Sequence, residues 1–260
     1  MKNVTILTAL LLVLTVGCRS DAGKVPEGDE VILGIFGGMG PEATADLYRQ
    51  IIEITPAQTD QEHMPTLIFS NPLVPDRMTS IADGGDAIKP YLRFSLRKLE
   101  DAGVSFVVIP CNTVHYFYDY MQECVDIPII NMIAATAEEV AEKYPSVRKV
   151  GLLATTGTIQ SGLYSRELEA RGFEVIIPDD SVEINMVMKA VRGIKAGTDG
   201  ALNEDLLAMA GQHLAGKGAG LIVLGCTEIP LAYNPQRVDL NYSLLSDHRL
   251  TNISLLMMMM

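Results

Sequence analysis

Val107–Thr113 reads VVIPCNT and Ile222–Glu228 reads IVLGCTE. Each is a short Val/Ile/Leu run that ends in a cysteine and then a threonine-bearing turn. Upstream of each lies a second strand-like run with a small-residue loop, VILGIFGGMGPEAT (Val31–Thr44) and KVGLLATTGTIQS (Lys149–Ser161). Ile35 precedes Cys111 by 76 residues and Leu152 precedes Cys226 by 74, so the pairs form a weak internal echo. The remaining apolar runs are TLIFS (Thr66–Ser70), PIINM (Pro128–Met132), EVIIP (Glu174–Pro178) and LIVLG (Leu221–Gly225). They are nearly continuous rather than alternating, as expected of parallel strands covered on both faces. Between them the apolar period becomes helical. Pro41 suits a first helical position, with Leu47, Ile51 and Ile54 following at spacings of four and three. Thr136–Tyr144 and Glu204–Leu214 also read as helices. This alternation predicts an α/β fold of two similar lobes. Each is a short, mostly parallel sheet flanked by helices, with the site in the cleft between them.

Composition narrows the function. The 260 residues are 48% apolar and 20% charged, which is a folded chain. A net charge of -12 argues against a phosphate-gripping surface, so no nucleic-acid partner is expected. An anionic substrate would have to be held by local cations against that field. The four histidines form no ligand-spaced cluster with the cysteines, so no metal is expected. Gly37–Gly40 (GGMG) lacks the dinucleotide glycine spacing, and there is no P-loop.

The first thirty residues read as an address and a tether. Lys2 precedes an uncharged run of thirteen residues, Val4–Val16. That is too short to span a membrane and fits the core of an export signal. Leu14–Cys18 (LTVGC) is similar to a bacterial lipobox, which implies cleavage before Cys18 and lipidation of its thiol. Residues 19–30 are a polar Gly/Pro tether. The expected product is an exported envelope lipoprotein held at a membrane by its lipid. Residues 31–131 with 231–260 are expected to form the first lobe and 132–230 the second.

Cys111 and Cys226 each end a buried strand just before an expected helix N-terminus, a place that favours thiolates. GGMGPEAT (Gly37–Thr44), NPLVPDR (Asn71–Arg77), PCNTVH (Pro110–His115), GIKAG (Gly193–Gly197) and LGCTEIP (Leu224–Pro230) resemble, in order, motifs of the aspartate/glutamate racemase family, aspartate branch. The resemblance covers about residues 31–233 and becomes loose over Asn241–Leu256. It implies cofactor-independent racemisation of an acidic amino acid, aspartate before glutamate. Cys111 and Cys226 would stand on opposite faces of the α-carbon, with Cys226 toward the L-enantiomer's proton and Cys111 toward the D-enantiomer's. It also implies substrate contacts from Met39, Gly40, Arg77, Asn112, Thr113, Lys195 and Thr227, with Arg77 gripping the side-chain carboxylate, and a homodimer. Asn112 and the threonines could equally serve as helix caps. His115, one turn beyond Cys111, could tune that thiol. Glu228 suits a helix first turn, and Cys124 reads as structural. Two other readings use the same features: a non-catalytic two-lobed lipoprotein that captures an amino acid or dicarboxylate, and a two-cysteine isomerase or decarboxylase.

Overall fold

The computed structural model describes residues 31–233 and 243–246. The export segment, the lipobox Cys18, the tether and the terminal methionines lie outside the described residues. In chain order the first lobe comprises β1 (Leu33–Gly37), α1 (Pro41–Ile54), β2 (Thr66–Ser70), α2 (Arg77–Ala82), α3 (Lys89–Asp101), β3 (Phe106–Val108) and α4 (Tyr118–Glu123). The second comprises α5 (Met132–Lys143), β4 (Lys149–Ala154), α6 (Thr156–Ser161), α7 (Leu163–Ala170), β5 (Glu174–Ile176), α8 (Asp180–Val182), α9 (Met188–Lys195), α10 (Gly200–Gly216), β6 (Leu221–Gly225), α11 (Ile229–Ala232) and β7 (Ser243–Ser246).

Both sheets are fully parallel, in the orders β2-β1-β3 and β5-β4-β6-β7. Strand alternation feeds a core on each face. Leu33 and Ile35 of β1 join Leu47 and Ile51 of α1 on one side, while Phe36 joins Leu92, Leu96 and Leu99 of α3 on the other. In the second sheet Val150, Leu152 and Ala154 pack with Val140, Tyr164 and Leu168, whereas Leu153 faces Val187, Leu207 and Leu214. Continuous apolar strands are therefore needed, because both faces are buried.

Strand order also locates the cleft. From β1 the chain runs outward to β2 and then returns to β3 on the other side of β1. From β4 it runs to β5 and returns to β6 in the same way. Each lobe thus has a switch point, β1/β3 and β4/β6, where loops at the carboxyl ends diverge and leave a crevice. Cys111 follows β3 and Cys226 directly follows β6.

Three expectations change. PIINM contributes a single bridge, Val107 to Ile129, rather than a strand. Its Asn131 instead caps α5, the side chain accepting from the N–H groups of Ile133 and Ala134 at 3.1 Å, so a cap competes with the sheet for those residues. The described residues beyond 230 belong to the second lobe, not the first. Ala232 and Tyr233 pack with Ile229 in that lobe's core, and β7 extends its sheet alongside β6. The helices after the cysteines are short: a 3₁₀ turn at Thr113–Phe117 and the four residues of α11. Little aligned dipole is available there to the thiols.

Candidate active site

A cavity of about 300 Å³ opens where the two switch points meet. Met39 comes from the loop after β1, Cys111, Asn112 and Thr113 from the loop after β3, and Thr155 from the end of β4. Cys226, Thr227 and Glu228 come from the loop after β6. The α2 start supplies Asp76, Arg77, Met78 and Thr79. One face of α9 supplies Met188, Val191, Arg192 and Lys195, at helical spacings of three and four. Of the residues expected at the site, all but Gly40 line this cavity. Gly40 stands behind it: a Cβ there would lie 3.2 Å from Glu228 Oε1 and 3.8 Å from Lys195 Nζ. The lipidation residue Cys18 lies outside the described residues.

Cys111 and Cys226 are both buried and unbridged. Their surroundings differ. The Cys226 thiol donates to Glu228 Oε2 at 3.2 Å, and the Thr227 hydroxyl donates to the same oxygen at 3.2 Å. The other oxygen, Oε1, pairs with Lys195 Nζ. Burial, reinforced by the Glu228 charge, pushes the Cys226 thiol well above its ordinary pKa. This reverses, for Cys226, the expectation of a thiol poised toward ionisation.

Around Cys111 the supports are neutral. The Asn112 side chain makes no cap hydrogen bond. Its Oδ1 accepts from the Tyr164 hydroxyl at 2.5 Å, and its buried Nδ2 has no partner. Thr113 Oγ1 stands 3.0 Å from both Thr155 Oγ1 and Thr158 Oγ1, which are themselves 3.0 Å apart. A hydroxyl donates one hydrogen bond, so in such a ring each donor is used and Thr113 keeps accepting capacity only. His115 does not reach the thiol. Its Nδ1 bonds the Cys111 backbone carbonyl at 2.8 Å, and its Nε2 accepts from the Met132 N–H at 3.4 Å. Nδ1 therefore carries the proton. Burial lowers the ring's pKa to about 4, so it is neutral near pH 7. Cys124 is buried in the first-lobe core, a structural place.

The cations converge from both lobes. Arg77 begins α2, and its guanidinium lies 3.3–3.4 Å from the carbonyls of Val74, Pro75 and Met39. Asp76 caps α2 through the Thr79 N–H at 2.9 Å. Burial opposes ionisation of Asp76, but the Thr79 hydrogen bonds and Arg77 outweigh it and hold the carboxyl below its ordinary range. Arg192 is a lining residue that the motif reading missed. Its place one turn before Lys195 was the available signal. The cavity thus presents Arg77, Arg192 and Lys195 against the carboxylates of Asp76 and Glu228.

The glycine loop is fastened to the first turn of α1. The Gly38 N–H is used by Thr44 Oγ1 at 2.9 Å rather than left for a ligand. Gly38 has φ +94°, and a Cβ there would strike the Asn71 backbone at 2.4 Å, so only glycine fits.

The chain is 29% identical over 206 residues to the broad specificity amino-acid racemase RacX of Bacillus subtilis (strain 168), spanning 76% of this chain and 86% of that protein. Its fold superposes on Picrophilus torridus aspartate racemase with TM-score 0.76 at 24% identity, covering 88% and 94% of the two chains. An aspartate racemase homologue from Pyrococcus horikoshii OT3 gives TM-score 0.69 at 27% identity, over 87% and 97%. The family model for Asp/Glu/hydantoin racemases matches residues 36–245, past the point near Tyr233 where the motif resemblance faded and through most of β7. With a cleft of this make and a match of this length, the chain belongs to the Asp/Glu/hydantoin racemase family.

Proposed function

We propose that this amino-acid racemase inverts an acidic amino acid, aspartate before glutamate, by a two-base mechanism on Cys111 and Cys226 without a cofactor. The observation that carries the reading is one thiol from each lobe lining the same cavity at matching switch points. Inversion removes the α-proton from one face and returns a proton to the other, which two fixed groups on facing walls do without moving. With the Cys226 thiol hydrogen-bonded to Glu228, Cys226 is the acid of the resting site and Cys111 is the partner that must ionise. As the Cα–H bond breaks toward the Cys111 sulfur, the electron pair spreads into the α-carboxylate. The Cys226 S–H then delivers its proton to the opposite face, and the two residues exchange protonation states.

The supports follow from their chemistry. Asn112 Nδ2 is a donor with no other partner, suited to binding the substrate's α-carboxylate. Thr113 and Thr227 offer hydroxyl oxygens to the ammonium. Arg77, Arg192 and Lys195 outnumber the cavity's two carboxylates and favour a substrate with a second carboxylate. Met39, Met78, Met188 and Val191 narrow the space open to water.

Reduced protein incubated with L- or D-aspartate and glutamate in deuterated buffer should lose the α-proton signal by NMR. No loss with any amino acid refutes the reading. Tight calorimetric binding without exchange would instead support a non-catalytic receptor, and turnover of a substrate other than an amino acid would support the isomerase or decarboxylase reading. The export reading rests on Val4–Val16 and Cys18. It expects palmitate labelling of the expressed protein that Cys18→Ser abolishes, and an unlabelled wild type would overturn it. The homodimer reading is supported by an apolar surface of Leu73, Tyr91 and Phe94 beside edge strand β2, where Leu73 is 75% exposed. Light scattering at the mass of one chain would remove it.

A further inference from the structure

Tyr164 lies on α7 of the second lobe and is completely buried, the largest side chain to be so among the described residues. Two contacts set it apart from an ordinary core aromatic. Its hydroxyl crosses to the first lobe and donates to Asn112 Oδ1, on the residue that follows Cys111. Its ring lies against Gly225, the residue that precedes Cys226: a Cβ built there would be 3.0 Å from Tyr164 Cε2. One rigid side chain therefore touches the neighbour of each thiol.

The hydroxyl has a definite consequence for Asn112. A primary amide can be turned over, exchanging its acceptor and donor ends. With the Tyr164 O–H committed as donor, the amide oxygen must face Tyr164. The NH₂ group is then directed away from it, and this is the buried Nδ2 that has no partner although Asn112 lines the cavity. A buried, unsatisfied donor costs free energy in the resting protein, and an incoming carboxylate would relieve that cost.

We propose that Tyr164 is a positioning residue: it holds the Asn112 amide with its NH₂ ready for the substrate's α-carboxylate, and it spaces the Cys111 and Cys226 loops against each other. The proposal rests on the racemase reading above and adds to it how the carboxylate-binding donor is oriented. It does not make Tyr164 a group that touches substrate.

The test is a cycle of Tyr164→Phe, Asn112→Ala and the double variant. Phe keeps the ring and its packing on Gly225 while removing the O–H. If Tyr164 acts through Asn112, Tyr164→Phe should raise KM by about tenfold for both enantiomers, since both carry the same carboxylate, with a smaller change in kcat. The double variant should be no worse than Asn112→Ala, because the tyrosine has nothing left to orient. A second measurement is the dissociation constant for α-methylaspartate, which has no α-proton and so reads binding without chemistry. It should weaken in parallel with KM. An unchanged KM in Tyr164→Phe, or losses that multiply in the double variant, would overturn the proposal even with an active wild type. A wild type that exchanges no α-proton overturns the racemase reading instead, and the α-methylaspartate affinities of the four proteins then decide the tyrosine's role. Failure of the wild type to bind that probe as well would end both ideas.

Discussion

The two cysteine loops occupy equivalent places in their lobes and are furnished differently. After β6 the sequence Cys226-Thr227-Glu228 puts a carboxylate on the thiol and ties that carboxylate to Lys195. After β3 the sequence Cys111-Asn112-Thr113 has no acid, and its polar atoms go to Tyr164, Thr155 and Thr158 across the lobe boundary. One loop is thus electrostatic in its support and the other is built from neutral hydrogen bonds. Duplicated topology therefore fixes where the sulfurs stand, while the two residues after each sulfur decide whether a carboxylate stands beside it. On the proposed mechanism, a near-symmetric inversion is served by an asymmetric pair of walls.

The comparison is broken most severely by removing one sulfur at a time. Cys111→Ser and Cys226→Ser should each lower racemisation by about a thousandfold or more, the scale of a lost general acid or base. The sharper readout is exchange in deuterated buffer. Each variant keeps one thiol and should wash out the α-proton of one enantiomer only, L for Cys111→Ser and D for Cys226→Ser. If both variants exchange the same enantiomer, the sulfurs do not stand on opposite walls.

Next in size is acid sensitivity, which belongs to the first loop. His115 is neutral and buried in the fold, with a pKa of about 4 against 6.5 when unfolded. Between those values the unfolded chain binds the extra proton. The stability associated with the neutral ring is therefore complete above about pH 6.5 and is lost as pH falls toward 4, by about 3 kcal/mol. Urea melts of wild type and His115→Gln at pH 7 and pH 4.5 should show a steeper acid loss in the wild type. Parallel losses would mean that the histidine is not the acid-labile support of the Cys111 loop.

The smallest effect is on the second loop. Replacing Glu228 with Gln removes the negative charge that helps to raise the Cys226 pKa. With Cys226 as the acid for the D-enantiomer, the alkaline limb of that substrate's kcat/KM profile should then move to lower pH. The sign is set because the variant also leaves Lys195 without its counter-charge. An active variant with an unmoved profile would show that the Glu228 charge does not tune the Cys226 thiol.

Much of this organisation was legible in the residues. TLIFS and LIVLG are strands over their full lengths; LIVLG is buried throughout, as continuous Val, Ile and Leu imply, whereas TLIFS is an edge strand that leaves Leu67 and Ile68 exposed. Leu47 and Ile51 marked the buried face of α1 correctly. PIINM misled because an apolar run beside Pro128 resembles a strand, whereas Asn131 was signalling the start of α5. The cysteines were visible as a repeated pattern, but the raised Cys226 pKa was not, because it comes first from burial, which only the packed second lobe creates, and then from the Glu228 charge. Tyr164 was hidden for the opposite reason. An aromatic residue in an amphipathic helix looks like ordinary filling, and only its hydroxyl, reaching out of its own lobe, distinguishes it.

The ring of Thr113, Thr155 and Thr158 has a mechanical consequence. Three hydroxyls at the cavity wall, one from the first lobe and two from the second, stand within 3.0 Å of one another. Separating the lobes there would cost both contacts of Thr113 with the second lobe, so this seam ties the Cys111 loop to the opposite lobe.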